Sequence, residues 1–429
     1  MEVTIRPSTL RGRIQIPASK SHTIRAVVIA ALAPGESCIL NPLESEDARS
    51  ARNVYNAFGA QITEEPEMWR IVGTNGRPQA PDNIVDTGNS GTTMRMALGS
   101  AALIPKGLTV LTGDDQVRRR PGGPLAQALN ALGAQVQSTR GNGCPPWVVG
   151  GMLRGGETEM EAVTSQYVSS LLLNAPLAEG DTRLHVPLLN EKPYVVMTLD
   201  WLKNQGIAVQ YSDDLSEYHI PGGQQYLPVN RPIPGDFSSA TFFLAAGALP
   251  GNRVACAGLD MNDSQGDKAV VSFVKEMGAV LRCEKDEVTV AAKKLRGCEF
   301  DLNATPDALP MMAALACLAE GTTRLVNVPQ ARLKETDRIR VMRMELEKLG
   351  AAIEELEDGM IIQGGVLHEG VVDGHGDHRI IMALATAATA ATGPVTIRGT
   401  EAVTVTYPEF FRHLQALGGS LSGSGIEAS

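Results

Sequence analysis

Asp236-Phe237-Ser238-Ser239-Ala240-Thr241-Phe242-Phe243-Leu244-Ala245-Ala246-Gly247-Ala248-Leu249-Pro250-Gly251 carries the plan of the whole chain. A polar start offers a helix cap, an Ala- and Leu-rich stretch reads as helix, a Gly closes it, and a short apolar run follows. The same pattern opens at Ser19, closing at Gly35, and at Asn89-Ser90-Gly91-Thr92-Thr93, closing at Gly107. It returns at Thr164-Ser165-Gln166 (Gly180), at Thr305-Pro306-Asp307 (Gly321) and at Gly376-Asp377-His378-Arg379 (Gly393). The closing glycines stand 70–73 residues apart. A second marker repeats in step: Phe58-Gly59-Ala60, Leu132-Gly133-Ala134, Gln205-Gly206-Ile207, Met277-Gly278-Ala279, Leu349-Gly350-Ala351 and Leu417-Gly418-Gly419. Each ends an amphipathic helix and opens a strand, a place where Gly takes the left-handed conformation without steric cost. Each repeat therefore reads strand, helix, strand, helix, then strands, and six repeats fill nearly the whole chain. Pro232-Ile233-Pro234 marks a midpoint break, giving an α/β protein of two similar three-unit domains.

The 429 residues are 43% apolar and 20% charged, enough for full cores, with a net charge of −10. That balance argues against a nucleic-acid or anionic-membrane partner, yet allows a local basic pocket for a small anion. None of Cys38, Cys144, Cys256, Cys283, Cys298 and Cys317 forms a CxxC pair, so no zinc or dithiol motif is suggested. Met1 to Pro7 lacks a signal region, and the apolar run Ala26–Ala33 is too short to span a bilayer. A cytoplasmic protein is expected. No phosphate loop, dinucleotide fingerprint or nucleophile elbow occurs, and nothing calls for a cofactor or a metal.

The six helix starts gather Ser, Thr, Asn and Asp. Helix N-termini carry partial positive charge and free N–H groups, so starts turned to a common cleft would make an anion trap. The chemistry concentrates in Arg332-Leu333-Lys334-Glu335-Thr336-Asp337-Arg338, followed by Arg340. Read as a helix, Lys334 and Arg338 share a face; taken alone, the run reads rather as a solvated face with internal ion pairs. Lys20, Ser21 and Arg25 enter the first Ala-rich helix, where a Lys at a helix start calls for an anionic partner. Asn89 to Arg95 is a small turn suited to close backbone approach, and Arg118-Arg119-Arg120 precedes a rigid Pro-Gly turn, as a guanidinium grip on phosphate or carboxylate would. Thr164, Ser165, Gln166 and the Glu191-Lys192-Pro193-Tyr194 stretch either line a polyol pocket or serve as caps. Asp307 at a helix start suits a base. His375 and His378 match no zinc spacing, so His378 reads as a positioning or acid/base group and Arg379 as an anion clamp.

Together these motifs resemble the 5-enolpyruvylshikimate-3-phosphate synthase family over the full length. Pro17-Ala18-Ser19-Lys20-Ser21 resembles its PGSKS, Asn89 to Arg95 its NAGTxxR, Arg120-Pro121 its RP, Leu333 to Arg338 its KETDR, and Asp377-His378-Arg379 its DHR. The resemblance implies two domains of three βαβαββ units each, an inside-out α/β barrel. Their expected extents are 18–232, and 1–17 with 233–429, joined by a two-strand hinge, with the active site in the interdomain cleft. It implies transfer of an enolpyruvyl group from phosphoenolpyruvate to the 5-hydroxyl of shikimate 3-phosphate in aromatic amino acid biosynthesis. Phosphate is lost by addition and elimination through a tetrahedral intermediate. On the matching positions, Lys20, Gly91, Arg120, Gln166, Arg338 and Arg379 would hold phosphoenolpyruvate. Lys20, Ser21, Arg25, Thr164, Ser165, Gln166, Asp307, Gln330 and Lys334 would hold shikimate 3-phosphate. Asp307 would take the hydroxyl proton, Glu335 with Lys20 would exchange the methylene proton, and His378 would assist. Four cations around one small ligand would repel each other in an empty site, so the cleft is expected to stay open until substrate arrives. A monomer is expected.

Four positions depart from the family pattern: Ala18 for Gly, Gln330 for a common Asn, Glu191 for a substrate-contacting Ser, and Glu401 near a Lys that some members use on phosphoenolpyruvate. Gly91 leaves room beside the bound anion, so sensitivity to the phosphonate mimic glyphosate is expected. The sister transferase acting on UDP-N-acetylglucosamine is the nearest rival. It typically uses a Cys or Asp in a mobile loop, whereas the Asp114–Arg120 loop here has no Cys and the KETDR run favours the shikimate enzyme. A non-catalytic anion-binding paralogue would be expected to lose Lys20, Asp307, Glu335 or Arg379, and all four are present. A nucleic-acid-processing enzyme is disfavoured by the acidic balance.

Overall fold

The computed structural model describes residues 1–424. They form two compact units, Ala18–Ile233, and Met1–Pro17 together with the chain from Pro234 onward. The first unit contains helices α1 (Lys20–Leu32), α2 (Glu46–Ala57), α3 (Gly91–Ala101), α4 (Gly123–Ala131), α5 (Ser165–Asn174) and α6 (Lys192–Asn204). The second contains α7 (Phe237–Ala248), α8 (Ala269–Glu276), α9 (Leu309–Ala316), α10 (Arg338–Glu347), α11 (His378–Ala388) and α12 (Phe410–Ala416). Each unit also holds three four-stranded sheets.

The odd-numbered helices are the Ala-rich stretches of the repeat. Being apolar on every face they must be buried on every face, and all residues of α7, α9 and α11 are. These three pack on one another, as α3 does on α1 and α5, so each unit has helices at its centre with its sheets laid against them. The polar starts act as caps: Ser90 accepts from the Thr93 amide, Asp236 from Ser239 and Asp377 from Arg379. The second marker glycines all adopt positive φ, from +70° at Gly206 to +113° at Gly278. Two closing glycines, Gly180 and Gly393, do not share that conformation; there a Cβ would lie 2.9 Å from the Arg154 carbonyl or 2.8 Å from the Glu369 carboxylate, so close approach explains them.

Every sheet has one parallel pair followed by two antiparallel ones, but three sheets take a strand from far along the chain. Arg11–Gln15 runs parallel to Arg253–Ala257, and Asn230–Pro232 pairs in parallel with Cys38–Leu40. Glu2–Arg6 lies antiparallel between Val395–Arg398 and Ser420–Gly423. The repeats are thus spatial units, and the first, fourth and sixth are not contiguous in sequence. Lys334 to Asp337 departs from the helix that its charge spacing suggests. This stretch is not helical: a 3-10 turn over Pro329–Leu333 is followed by a bend, and α10 begins at Arg338, with the Asp337 carboxylate accepting from the Arg340 amide. Lys334 and Arg338 therefore do not share a helix face. No helix among the described residues is long and apolar enough to cross a membrane.

Gly247 tests the packing of a central helix on a sheet. Its Cβ would stand 2.8 Å from the Val290 carbonyl and 2.9 Å from the Val290 Cβ. Ala would gain about 1 kcal/mol of helix propensity, but overpacking costs about 1–3 kcal/mol. Gly247→Ala is expected to lower the urea midpoint of the second unit, against its propensity.

Candidate active site

In the first unit the cations at the helix starts are held by neighbours that the sequence spacing does not reveal. Lys20, at the start of α1, forms an ion pair of 3.0 Å with Asp47 on α2. Arg25 is buried and donates to Thr198 Oγ1 (2.8 Å), Ser169 Oγ (3.2 Å) and the carbonyls of Ser21 and Tyr194 (both 3.0 Å). Burial lowers its pKa to about 10, a shift opposed by Tyr194. Arg25 is thus a strut between α1, α5 and α6, and four hydrogen bonds of the expected ligand hand are committed to the protein.

Of the three adjacent arginines only Arg120 is buried. Arg118 turns to the Asp115 carboxylate and Arg119 to the Asp115 carbonyl. Arg120 lies against Gly91, where a Cβ would be 2.5 Å from its Nη1 and 2.6 Å from Arg95 Nη1. The turn that presents it is pinned from two helices, since Arg95 Nη2 and the Tyr167 hydroxyl both donate to the Pro121 carbonyl (2.9 and 2.7 Å). Gln166 Nε2 donates to Thr92 Oγ1 at 3.2 Å, tying the start of α5 to that of α3. The structure therefore brings Gly91, Arg120 and Gln166 into one neighbourhood. Thr164 and Ser165 instead face Glu191: Oε2 of this carboxylate accepts from Thr164 Oγ1 (2.9 Å), Ser165 N (3.1 Å) and Ser165 Oγ (2.8 Å).

The second unit gathers its residues more tightly, around Arg338, which is 1% exposed. Its Nη1 donates to Asp307 Oδ1 at 2.7 Å, its Nε to Asp377 Oδ2 at 2.8 Å, and its Nη2 to Glu335. Asp307 offers its other oxygen to Arg379 Nη2 at 2.9 Å. Thr336 donates to Asp377, which also caps α11. Burial alone would depress the Arg338 guanidinium, but Asp377, Glu335 and Asp307 outweigh it and hold its pKa above the ordinary value. Asp307, Glu335, Arg338 and Arg379 thus form one network, with buried His378 beside Arg379 at the start of α11. Gln330 is buried in the 3-10 turn and donates to the Asn303 carbonyl at 3.0 Å; Lys334 follows in the bend. Glu401 forms a 2.6 Å ion pair with the Met1 amino group.

The premise of four bare, mutually repelling cations does not hold. Lys20, Arg338 and Arg379 each already face a carboxylate within their own unit. The sequence does not single out Asp47, and it marks Asp377 as a helix start and as part of the DHR-like run, not as a partner of Arg338. Asp47 lies 27 positions from Lys20 and Asp377 39 from Arg338, so no local pattern links either pair. Glu345, also missed, is fully buried on α10. It accepts from the Asp373 amide (2.9 Å) and from Lys348 Nζ (2.7 and 2.8 Å), and lies 2.8 Å from His375 Nε2. It thereby braces the loop that leads to Asp377, His378 and Arg379.

Residues 5–414 match the family described as EPSP synthase (3-phosphoshikimate 1-carboxyvinyltransferase). The 3-phosphoshikimate 1-carboxyvinyltransferase of Ruminiclostridium cellulolyticum is 49% identical over 421 residues, covering 98% of this chain and 99% of the relative. That of Methanococcoides burtonii is 43% identical over 423 residues, covering 97% and 98%. A solved structure of EPSP synthase from Acinetobacter baumannii aligns with a TM-score of 0.82 at 28% identity, covering 98% of this chain and 100% of that one. The two sequence relatives are named carboxyvinyltransferases, and the solved structure shares the fold described above. The chain belongs to the EPSP synthase family.

The Glu345 brace has a pH signature. Burial works against its charged form, but Lys348, His375 and the Asp373 amide outweigh it and hold the carboxyl below its ordinary value of 4.5. A carboxyl depressed in the folded state contributes stability above that ordinary value and loses it as pH falls through the folded value. Glu345→Gln is expected to be less stable than wild type at neutral pH, with the gap closing in acid. Urea denaturation at several pH values measures it; a constant gap would contradict it.

Proposed function

We propose that this chain transfers the enolpyruvyl group of phosphoenolpyruvate to the 5-hydroxyl of shikimate 3-phosphate, releasing phosphate, as a cytoplasmic enzyme of the shikimate pathway. The observation that carries this reading is the network that joins Asp307 to Glu335 and Arg338 of the KETDR-like run and Arg379 of the DHR-like run, in a chain that belongs to the family. The transfer exchanges C–O bonds and moves protons with no net redox change, so it calls for no redox cofactor. Both units belong to one chain, so a monomer carries every residue assigned below.

Arg120 and Arg379 bind the phosphate and carboxylate of phosphoenolpyruvate through their planar guanidinium forks, and Arg338 joins them by exchanging part of its carboxylate pairing for the ligand. Lys20 and Gln166 add donors, and Gly91 leaves the space beside Arg120. Ser21, Arg25, Thr164, Ser165, Gln330 and Lys334 serve shikimate 3-phosphate. Asp307 accepts the proton of the 5-hydroxyl as its oxygen bonds to the central carbon of phosphoenolpyruvate. Glu335, with Lys20, delivers a proton to the methylene carbon, which closes the tetrahedral intermediate. Glu335 then takes a methyl proton back as the C–O bond to phosphate breaks and the double bond returns. His378, buried beside Arg379, is assigned to positioning. The pre-existing pairing of Asp307 with two arginines fixes the carboxylate before substrate binds, which favours catalysis by preorganisation.

Phosphate release from phosphoenolpyruvate is expected only with shikimate 3-phosphate present. It should fall by about a hundredfold or more in Glu335→Ala, the usual range for losing a general acid–base group. Release supported by UDP-N-acetylglucosamine in place of shikimate 3-phosphate would overturn the assignment. Gly91→Ala places a methyl group against the Arg120 and Arg95 forks. It is expected to raise the KM for phosphoenolpyruvate about tenfold, the equivalent of one charge-assisted hydrogen bond, and to weaken inhibition by glyphosate in the same assay.

A further inference from the structure

One buried carboxylate at the helix starts takes no part in that scheme. Glu191 is 2% exposed and sits in the left-handed region, at φ 59° and ψ 39°. For a residue other than Gly, Asn or Asp this backbone is unusual, and it persists where surrounding contacts hold it in place. What holds it is the start of α5, where Oε2 alone accepts three hydrogen bonds from Thr164 and Ser165. Local capping does not require this, because Thr164 already caps α5 through its own hydroxyl. The carboxylate comes from 26 positions further on and occupies hydroxyl and amide donors in the way an oxygen of a bound anion does at a helix N-terminus.

These same donors are the ones assigned above to shikimate 3-phosphate, and on that reading a substrate phosphate and Glu191 cannot hold them together. Two anions on one pair of hydroxyls repel each other, and the site is too buried for solvent to screen them. We propose that Glu191 is a built-in competitor for the phosphate of the acceptor substrate. It fills the Thr164–Ser165 donors when the site is empty and is displaced when the substrate binds. A ligand with further contacts, such as a phosphorylated polyol, overcomes this competition. A bare phosphate ion, which is also the product released, does so poorly. Glu191 thereby sets specificity against free phosphate at the expense of some affinity for the substrate.

The test compares wild type, Glu191→Gln and Glu191→Asn; Asn tolerates the left-handed backbone, so at least one variant keeps the loop. Inorganic phosphate is the probe, measured by calorimetry and as a competitive inhibitor against shikimate 3-phosphate. Both neutral variants are expected to bind phosphate about tenfold more tightly, the value of one charge-assisted hydrogen bond. The KM for shikimate 3-phosphate should fall while that for phosphoenolpyruvate stays put. Adding Ser165→Ala to Glu191→Gln should abolish the gain, which ties it to this site. Unchanged phosphate affinity in both variants, or a raised KM for shikimate 3-phosphate, overturns the proposal and leaves Glu191 as a second cap. Absence of any turnover by wild type would instead sink the enolpyruvyl reading, and the calorimetry would still decide the role of Glu191.

Discussion

A guanidinium taken out of water is costly unless its charge and its N–H groups are answered. Arg338 is almost completely buried, and three carboxylates answer it. Asp307 comes from the turn before α9, Glu335 from the bend before α10, and Asp377 from the cap of α11. One side chain therefore fixes three helix starts against each other. Because Asp307 also holds Arg379, and Asp377 receives the Arg379 amide, the group that stabilises the fold here is the group that arranges the chemistry. Removing any one carboxylate would leave a buried positive charge under-compensated, so fold and site are not separable at this point.

The same logic runs through the repeat. Helices that are apolar on every face can only sit in the middle of their unit, and their polar N-terminal residues must then emerge where the helix leaves the core. The repeat thus multiplies helix starts in a way that a single sheet covered on one face would not. The first unit uses its starts differently from the second. Lys20 meets Asp47, Arg25 ties α1 to α5 and α6, and the start of α5 meets Glu191. Its arginine neighbourhood at Gly91 and Arg120 is built by steric proximity and by carbonyl contacts to Pro121.

What was legible in the sequence was whatever is encoded locally. The Gly markers showed where helices end, since left-handed backbone is a property of single residues. The capping residues Ser90, Asp236 and Asp377 lay at the starts for the same reason. The family motifs located Glu335, Arg338 and Arg379, the fifth repeat's helix start marked Asp307, and the structure brings these together. The run from Lys334 to Asp337 was misread as helix because its charge pattern suits one, while the deciding facts are the 3-10 turn before it and the Asp337 cap after it. The pairings of Lys20 with Asp47 and of Glu345 with His375 span 27 and 30 positions, and no local pattern announces them. The strands exchanged between distant segments were invisible for the same reason, because a short strand does not declare its partner.

Those exchanged strands set an order of events during synthesis. Residues 18–233 form one unbroken segment and include the strand Asn230–Pro232 that completes their own first sheet. They can fold while the rest of the chain is still being made. Arg11–Gln15 must wait for Arg253–Ala257, and Glu2–Arg6 for Ser420–Gly423. At about 5–20 residues per second, Glu2–Arg6 remains without Ser420–Gly423 for roughly 20–80 seconds. Glu2–Arg6 and Arg11–Gln15, made before residues 18–233, are thus placed after them. A chain reordered to place residues 1–17 after the strand Ser420–Gly423 would remove that delay and keep the strand pairings of both units.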